Sequence, residues 1–468
     1  MAEESFSRIQ TACLEGRAQS VLFRQRLFHS LYSTLKASAS KIKDAIVADT
    51  GHNEADVTLE YTLAISELRT HYDELNLEED INSQHSLENL NATTSAGIIY
   101  LIPSKHNLFY SVISALTASL AAGNCVVVEL PMTLTHVSGL LRKILPSTLD
   151  ADVFAISSTR PPEAFLSKCQ VVSQVEEDTS SAKVVAIVDR SSNVPEAASI
   201  IGTSRVAFNG RAAYAPDIVL VNEFVAEDFL FHLVQAVTTP PSKPSLSAVS
   251  QQSPKAQSDG ASQIIKELEG NDGVRVVMSG ASCTIVDVKD RYKSPLGRRM
   301  EGRVVLICRT TSLDDAIDLC NGLQTPLQAT YVFAAPTEAN YLSRFTDARI
   351  SCANHIPTEL LVGPFAPQHR TVAPSPSPRY LSILFRSPRP RLAQPSNLTS
   401  IFQEVTKSRS IKGLESWARS ITETPLPAIK QADGRATGFF DQAFMVVGSA
   451  AVIVLTGSAY TLFRTWRR

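Results

Sequence analysis

The sequence predicts an α/β protein built on parallel β-sheet. Two observations carry this expectation. Short apolar runs rich in valine and isoleucine recur at 97–103, 125–130, 183–189, 217–225 and 304–307, separated by segments of helical character. Such runs suit buried strands of a parallel sheet. Residues 97–130 also lay out one whole β-α-β unit: G-I-I-Y-L-I-P, then S-V-I-S-A-L-T-A-S-L, the stop A-A-G-N, then C-V-V-V-E-L. With 468 residues, 44% of them hydrophobic, the chain is long enough for a large core split into two or more units.

Residues 5–77 read as two or more amphipathic helices, because Leu22, Leu27, Leu31, Leu35, Ile42 and Ile46 recur near helical spacing with Lys and Arg between them. After the β-α-β unit, 183–189 is a strand, 217–225 a strand and 226–237 a helix. Residues 240–262, rich in Ser, Pro, Gln and Lys, read as a flexible surface insert. Regular structure resumes at Gln263. Residues 304–307 and 312–317 give strand then helix, and 326–333 a further strand. Proline, serine and arginine dominate 366–395, where no element stands out, and 396–435 reads as a weakly helical linker.

Residues 443–463 contain no charged side chain. A helix of that length spans ~31 Å, enough for a hydrocarbon core. R-T-W-R-R follows, with Trp466 suited to the interface. The expectation is a C-terminal transmembrane helix anchoring a cytosolic bulk. The endoplasmic reticulum, the mitochondrial outer membrane and the peroxisome all remain open as its location. The N-terminus, M-A-E-E-S-F-S-R-I-Q, has neither a secretory h-region nor a transit-peptide composition.

The formal net charge is −2, which gives no reason to expect a nucleic-acid partner. None of the seven cysteines forms a C-x-x-C pair or sits at zinc-ligand spacing, so no metal is expected and buried reduced thiols are.

Residues 208–221 read F-N-G-R-A-A-Y-A-P-D-I-V-L-V. This resembles the nucleophile segment of aldehyde dehydrogenases, N-x-G-Q-x-C-x-A-P-D. Asn209, Gly210, Ala215, Pro216 and Asp217 match, Arg211 stands at the Gln and Ala213 at the cysteine. The β-α-β unit and A-D-T-G-H-N at 48–53 also resemble the family, nearest its class-3 fatty-aldehyde type with a C-terminal anchor. The resemblance covers roughly 6–365. It implies a Rossmann-like parallel-sheet domain for a cofactor, a catalytic-type α/β domain, NAD(P) as cofactor, and dimers or tetramers. The domains expected are 1–182 (N-terminal helices and a degenerate cofactor domain), 183–365 (catalytic type, with parts of the cofactor domain returning near its end), 366–442 (linker) and 443–463 (membrane span).

The family reaction uses a thiolate, an oxyanion hole, hydride transfer to NAD(P) and a glutamate base. The resemblance puts Ala213 at the nucleophile, and a methyl group cannot attack a carbonyl. The neighbouring Tyr214 carries a phenol, a poor substitute for a thiolate. Counting back from Lys183 and Asp189, which fit E-L-G-G-K and its strand, puts Thr179 at the base, with Ser181 and Ala182 at the glycines. Glu176 and Glu177 lie close by, as a solvated acidic run or as a displaced base. The oxyanion Asn falls on His106 by ungapped counting from A-A-G-N and on Asn107 after one shift.

Glu129 stands at the lysine that approaches the adenosine ribose. The E-x-F-G-P motif reads R-M-E-G-R at 299–303, where Gly302 fits, Arg299 replaces the glutamate and Glu301 the phenylalanine. No G-S-T-x-x-G phosphate turn appears between 154 and 183, an interval that looks short by a helix and a strand. Asn354 matches an Asn near the family's substrate entry, and a turn-fixing Asn explains it equally well.

The leading expectation is a membrane-anchored aldehyde-dehydrogenase-like protein impaired in catalysis, paired as a homo- or hetero-dimer with similar chains. The alternative is a working NAD(P)-dependent oxidoreductase acting on an aliphatic or biosynthetic aldehyde, such as one of fungal secondary metabolism. A third is a binding module that keeps a tunnel for long-chain ligands.

Overall fold

The computed structural model describes residues 2–175, 183–238, 266, 270, 272–280, 283–293, 296, 299–300, 302–323, 327–365 and 378–429. The chain divides into two compact units, 1–393 and 394–468. The insert at 240–262, the base position Thr179 with Glu176 and Glu177, Glu301, and the expected span at 443–463 lie outside the described residues. Among the described residues, no helix is long and apolar enough to cross a membrane.

The first unit opens with five helices: α1 (Ala2–Glu15), α2 (Val21–Ala37), α3 (Ala39–Thr50), α4 (Glu54–Asp73) and α5 (Leu77–His85). Their boundaries follow from side-chain capping. Ser20 accepts from Phe23 N at the start of α2, Asn53 from Asp56 N at α4, and Asn76 from Glu78 N and Glu79 N at α5. The buried stripe includes Leu27, Leu31, Leu35, Ile42 and Ile46, as the spacing predicts, whereas Leu22 is half exposed.

β1 (Thr93–Ser95) precedes a four-stranded parallel sheet of β2 (Ile98–Ile102), β3 (Cys125–Glu129), β4 (Phe154–Ser157) and β5 (Cys169–Ser173), in the order β4-β3-β2-β5. α6 (Leu108–Ala121), α7 (His136–Thr148) and the short α8 (Glu163–Leu166) connect the strands in turn. Every residue of α6 from Phe109 to Ala121 is buried, so this helix is apolar nearly all round and runs through the core.

The stop A-A-G-N works through two residues. Gly123 takes a φ of 87°, which favours glycine. Asn124 Oδ1 accepts from Gly97 N at 2.8 Å, while its Nδ2 donates to Ser119 O and to Phe385 O. One amide thus ties the helix end to the β2 entry and to a segment near the end of the unit.

The interval 154–183 needs one correction. It is not short by a strand: β5 is present and pairs with β2. Only residues 174–183 separate β5 from β6 (Val184–Val188), too few for a phosphate turn followed by a helix of typical length, roughly 11 residues.

β6 begins a seven-stranded sheet with β7 (Ile218–Asn222), β8 (Val274–Ser279), β9 (Thr284–Val288), β10 (Val304–Thr310), β11 (Ala329–Phe333) and β12 (Ser351–Ala353). The order is β12-β11-β6-β7-β10-β9-β8, parallel throughout except for the edge strand β8. α9 (Val194–Val206), α10 (Ala226–Thr238), α11 (Leu313–Asn321) and α12 (Pro336–Phe345) cover it, and α13 (Thr358–Val362) follows. Alternate residues serve opposite faces: Val184, Ala186 and Val188 join the larger core, while Val185 and Ile187 join a smaller one. β13 (Arg386–Pro388) returns to pair antiparallel with β1.

The second unit holds α14 (Asn397–Ser408) and α15 (Lys412–Thr422), which pack on each other. The stretch expected to be a weakly helical linker is therefore a helical hairpin over these residues. Arg409, left-handed at φ 55°, caps α14 through its N–H to Val405 O.

Candidate functional site

The segment joining α9 to β7 carries the nucleophile position. Phe208, Asn209 and Gly210 all adopt positive φ, at 50°, 56° and 74°. Two of these are not glycine, so the strain is held by neighbours. Phe208 N donates to Asp56 Oδ2, and Asn209 Nδ2 donates to Thr50 O at 3.1 Å. Gly210 lies against Gly302, where a Cβ would stand 2.6 Å from the Gly302 carbonyl oxygen. No side chain fits there.

Arg299, Gly302 and Arg303 therefore close directly on this segment. Arg299 Nη2 donates to the Ala213 carbonyl at 3.0 Å, and Arg303 Nη2 to Asn209 Oδ1 at 2.6 Å. Arg205, 1% exposed, donates from Nη2 to Met300 O and from Nη1 to Asp217 Oδ1 at 3.2 Å. Asp217 in turn accepts from Val184 N. Stacked rings complete the wall. The Arg299 guanidinium lies 4.7 Å from the Phe365 ring, Phe365 meets Tyr214 edge-on at 4.9 Å, and Arg379 lies 5.3 Å from the Tyr214 ring. Ala213 itself is buried.

Asn107 is buried and His106 half-buried, and the two are engaged differently. Asn107 caps α6 in a left-handed conformation and gives its Nδ2 to Val362 O, leaving Oδ1 unpaired. His106 packs edge-on to Phe208 and His52, at 6.4 and 6.1 Å, and its Nε2 has no partner. Burial, then His52, Arg211 and Arg299, push its pKa down to about 3. Burial and the same arginine-rich surroundings push His52 to about 4. Both imidazoles are neutral at pH 7.

Each cofactor position makes contacts within the protein. Glu129, at the end of β3, accepts from the Tyr100 hydroxyl, and burial together with that carboxylate raises the phenol's pKa. Lys183 is buried, and its carbonyl accepts from Gln328 N. Arg299 and Gly302 serve the nucleophile segment instead. The β5–β6 connection, 174–183, is brief beside what a phosphate turn and a helix of typical length need. Asn354 fixes a turn, exchanging hydrogen bonds with both backbone groups of Ala334.

Cys283, electrostatically coupled to Arg205 and Arg303, is held by burial at about 11, and a thiol in that state is a poor nucleophile. Among the described residues, no cluster of His, Cys, Asp or Glu could hold a metal.

No sequence pattern marked Arg205, Arg303, Phe365 or Glu60 as part of the site. Glu60 is 1% exposed and accepts from Tyr110 N in the first turn of α6. Burial raises its pKa from 4.5 to about 7. The folded state then binds the proton more tightly than the unfolded one, so stability falls as pH rises from about 4.5 through 7 and is flat above. Glu60→Gln should remove that loss. Urea midpoints should show the variant gaining on the order of 2–3 kcal/mol over its parent between about pH 4 and pH 8.

No protein-family model matches the sequence. Among solved structures, the substrate-bound state of Staphylococcus aureus AldH superposes with a TM-score of 0.69 at 16% identity, over 90% of this chain and 99% of that one. This chain has the aldehyde dehydrogenase fold. A NAD-dependent benzaldehyde dehydrogenase from Corynebacterium glutamicum also matches, with a TM-score of 0.60 at 14% identity over 77% of this chain and 87% of that one.

Curated relatives narrow the resemblance to aldehyde dehydrogenase family 3. Member B3 of Mus musculus is 22% identical over 384 residues, 72% of this chain and 77% of the relative. Member B1 of Rattus norvegicus is 21% identical over 370 residues, 71% and 78% of the two chains. The chain thus shares the aldehyde dehydrogenase fold and its sequence resemblance is to family 3.

Proposed function

We propose that this aldehyde-dehydrogenase-like protein does not carry out thiolate-dependent aldehyde oxidation, and that it acts at a membrane by binding rather than turnover. The observation that carries the proposal is the Arg299 guanidinium seated on the Ala213 carbonyl, in a wall closed by Phe365 and Tyr214. The shortened β5–β6 connection and the Glu129–Tyr100 bond support it from the cofactor side.

The charge-free run at 443–463 supports a single-pass anchor with the bulk in the cytosol. A dimer with a like chain is the partner we favour. The edge strand β8, beside exposed Phe231 and Val277, offers apolar surface for one.

A working NAD(P)-dependent oxidoreductase of aliphatic aldehydes would bind its cofactor. Calorimetric titration with NAD and with NADP is expected to show no saturable heat in the micromolar range. A micromolar Kd, about −8 kcal/mol, would restore the oxidoreductase function.

A further inference from the structure

Neither α14 nor α15 has a buried residue, yet both helices are two-sided. Leu398, Ile401, Phe402 and Val405 recur at i, i+3, i+4 and i+7, and Leu414, Trp417, Ala418 and Ile421 repeat that spacing. Packing of one helix on the other half-buries Ile401, Val405, Leu414 and Ala418. Phe402 and Ile421 stay 62% and 63% exposed, with Leu398 and Trp417 beside them in the pattern. Leaving such side chains in water forgoes roughly 1.5–3 kcal/mol each relative to full burial. The helix period puts Lys407 on the opposite side of α14, and Lys412 and Arg419 on the opposite side of α15.

What covers the apolar side follows from where the chain goes next. The charge-free run begins at 443, and residues 423–442 hold the hairpin within ~70 Å of its start even when fully extended. Aromatic and leucine side chains on one side, with lysine and arginine on the other, are the pattern of a helix lying in the plane of a bilayer.

We propose that the α14–α15 hairpin lies in the headgroup region of a lipid bilayer, with Leu398, Phe402, Trp417 and Ile421 turned toward the acyl chains and its lysines and arginine toward anionic headgroups. This rests on the membrane placement proposed above, and the two can fail separately.

The test uses the full chain carrying Trp466→Phe, which leaves Trp417 as its one tryptophan. It is reconstituted with vesicles of phosphatidylcholine and phosphatidylglycerol that contain brominated lipids. Trp417 emission is expected to shift to the blue. It should lose about half its intensity to bromines near the glycerol end of the acyl chains, and less to bromines near the methyl end. Phe402→Asp with Ile421→Asp should abolish the quenching, and Lys407→Gln should keep it.

Unquenched Trp417 in vesicle-bound protein would overturn the proposal, because the apolar side would then be covered by the body or by a second copy. Failure of the chain to bind vesicles would overturn the hairpin and the anchor together. Alkaline carbonate extraction of the unsubstituted chain reads the anchor alone. Extraction with quenching leaves the hairpin standing and the anchor refuted; resistance without quenching gives the reverse.

Discussion

The purified chain is expected to reduce neither NAD nor NADP above a buffer control with any aliphatic or aromatic aldehyde. Loss of the nucleophile alone costs on the order of 10⁶ in kcat in a comparable covalent enzyme. Here Ala213 occupies that position, and Arg299 bonds its carbonyl. Restoring the thiol by Ala213→Cys should leave the rate at background. Arg299 would still bond the carbonyl beside the new thiol, and only residues 174–183 would still join β5 to β6, too few for a phosphate turn and a helix of typical length. Steady NAD(P)H production by the single variant, surviving repurification, would show an intact cofactor site and end the proposed function.

The second large effect is on stability. Arg205→Met should destabilise the fold by about 3–5 kcal/mol, read from denaturant midpoints at neutral pH. The cost comes less from a lost attraction than from what remains: a buried Asp217 carboxylate stripped of its ion-pair partner, with Arg299 still nearby, and a Met300 carbonyl with no guanidinium donor. Adding Asp217→Asn should recover more than half of the loss, because the amide oxygen still accepts from Val184 N and carries no charge. Equal stability of the single and double variants would mean that the ion pair is not what holds Arg205 in place.

The parts of this molecule that were legible in the sequence are those in which one stretch carries the whole signal. Residues 97–130 announce strand, helix and strand because each is apolar throughout and a glycine marks the stop. β5 was not legible, because C-Q-V-V-S is short and mostly half-exposed, with neither an apolar run nor a clean alternation. The hairpin passed for a linker because each of its helices is brief and half polar. The closure of the site was beyond reach for another reason. Arg299, Phe365 and Arg379 meet the nucleophile segment only after the chain has returned from far along its length, and no local pattern records such a meeting.

The same long returns have a consequence for how the protein is made. Asn124 gives a hydrogen bond to Phe385, Asn107 to Val362, and Glu67 receives one from Arg379, while β1 waits for β13. At ~5–20 residues per second, a ribosome needs on the order of 15–60 seconds to travel from β2 to these partners. For that time the apolar helix α6 and the open edge of β1 are synthesised but not sealed. Non-local pairing of this kind folds slowly and leaves sticky surface in the interim. The nascent chain therefore depends on chaperone shielding until the last strand of its first unit has emerged.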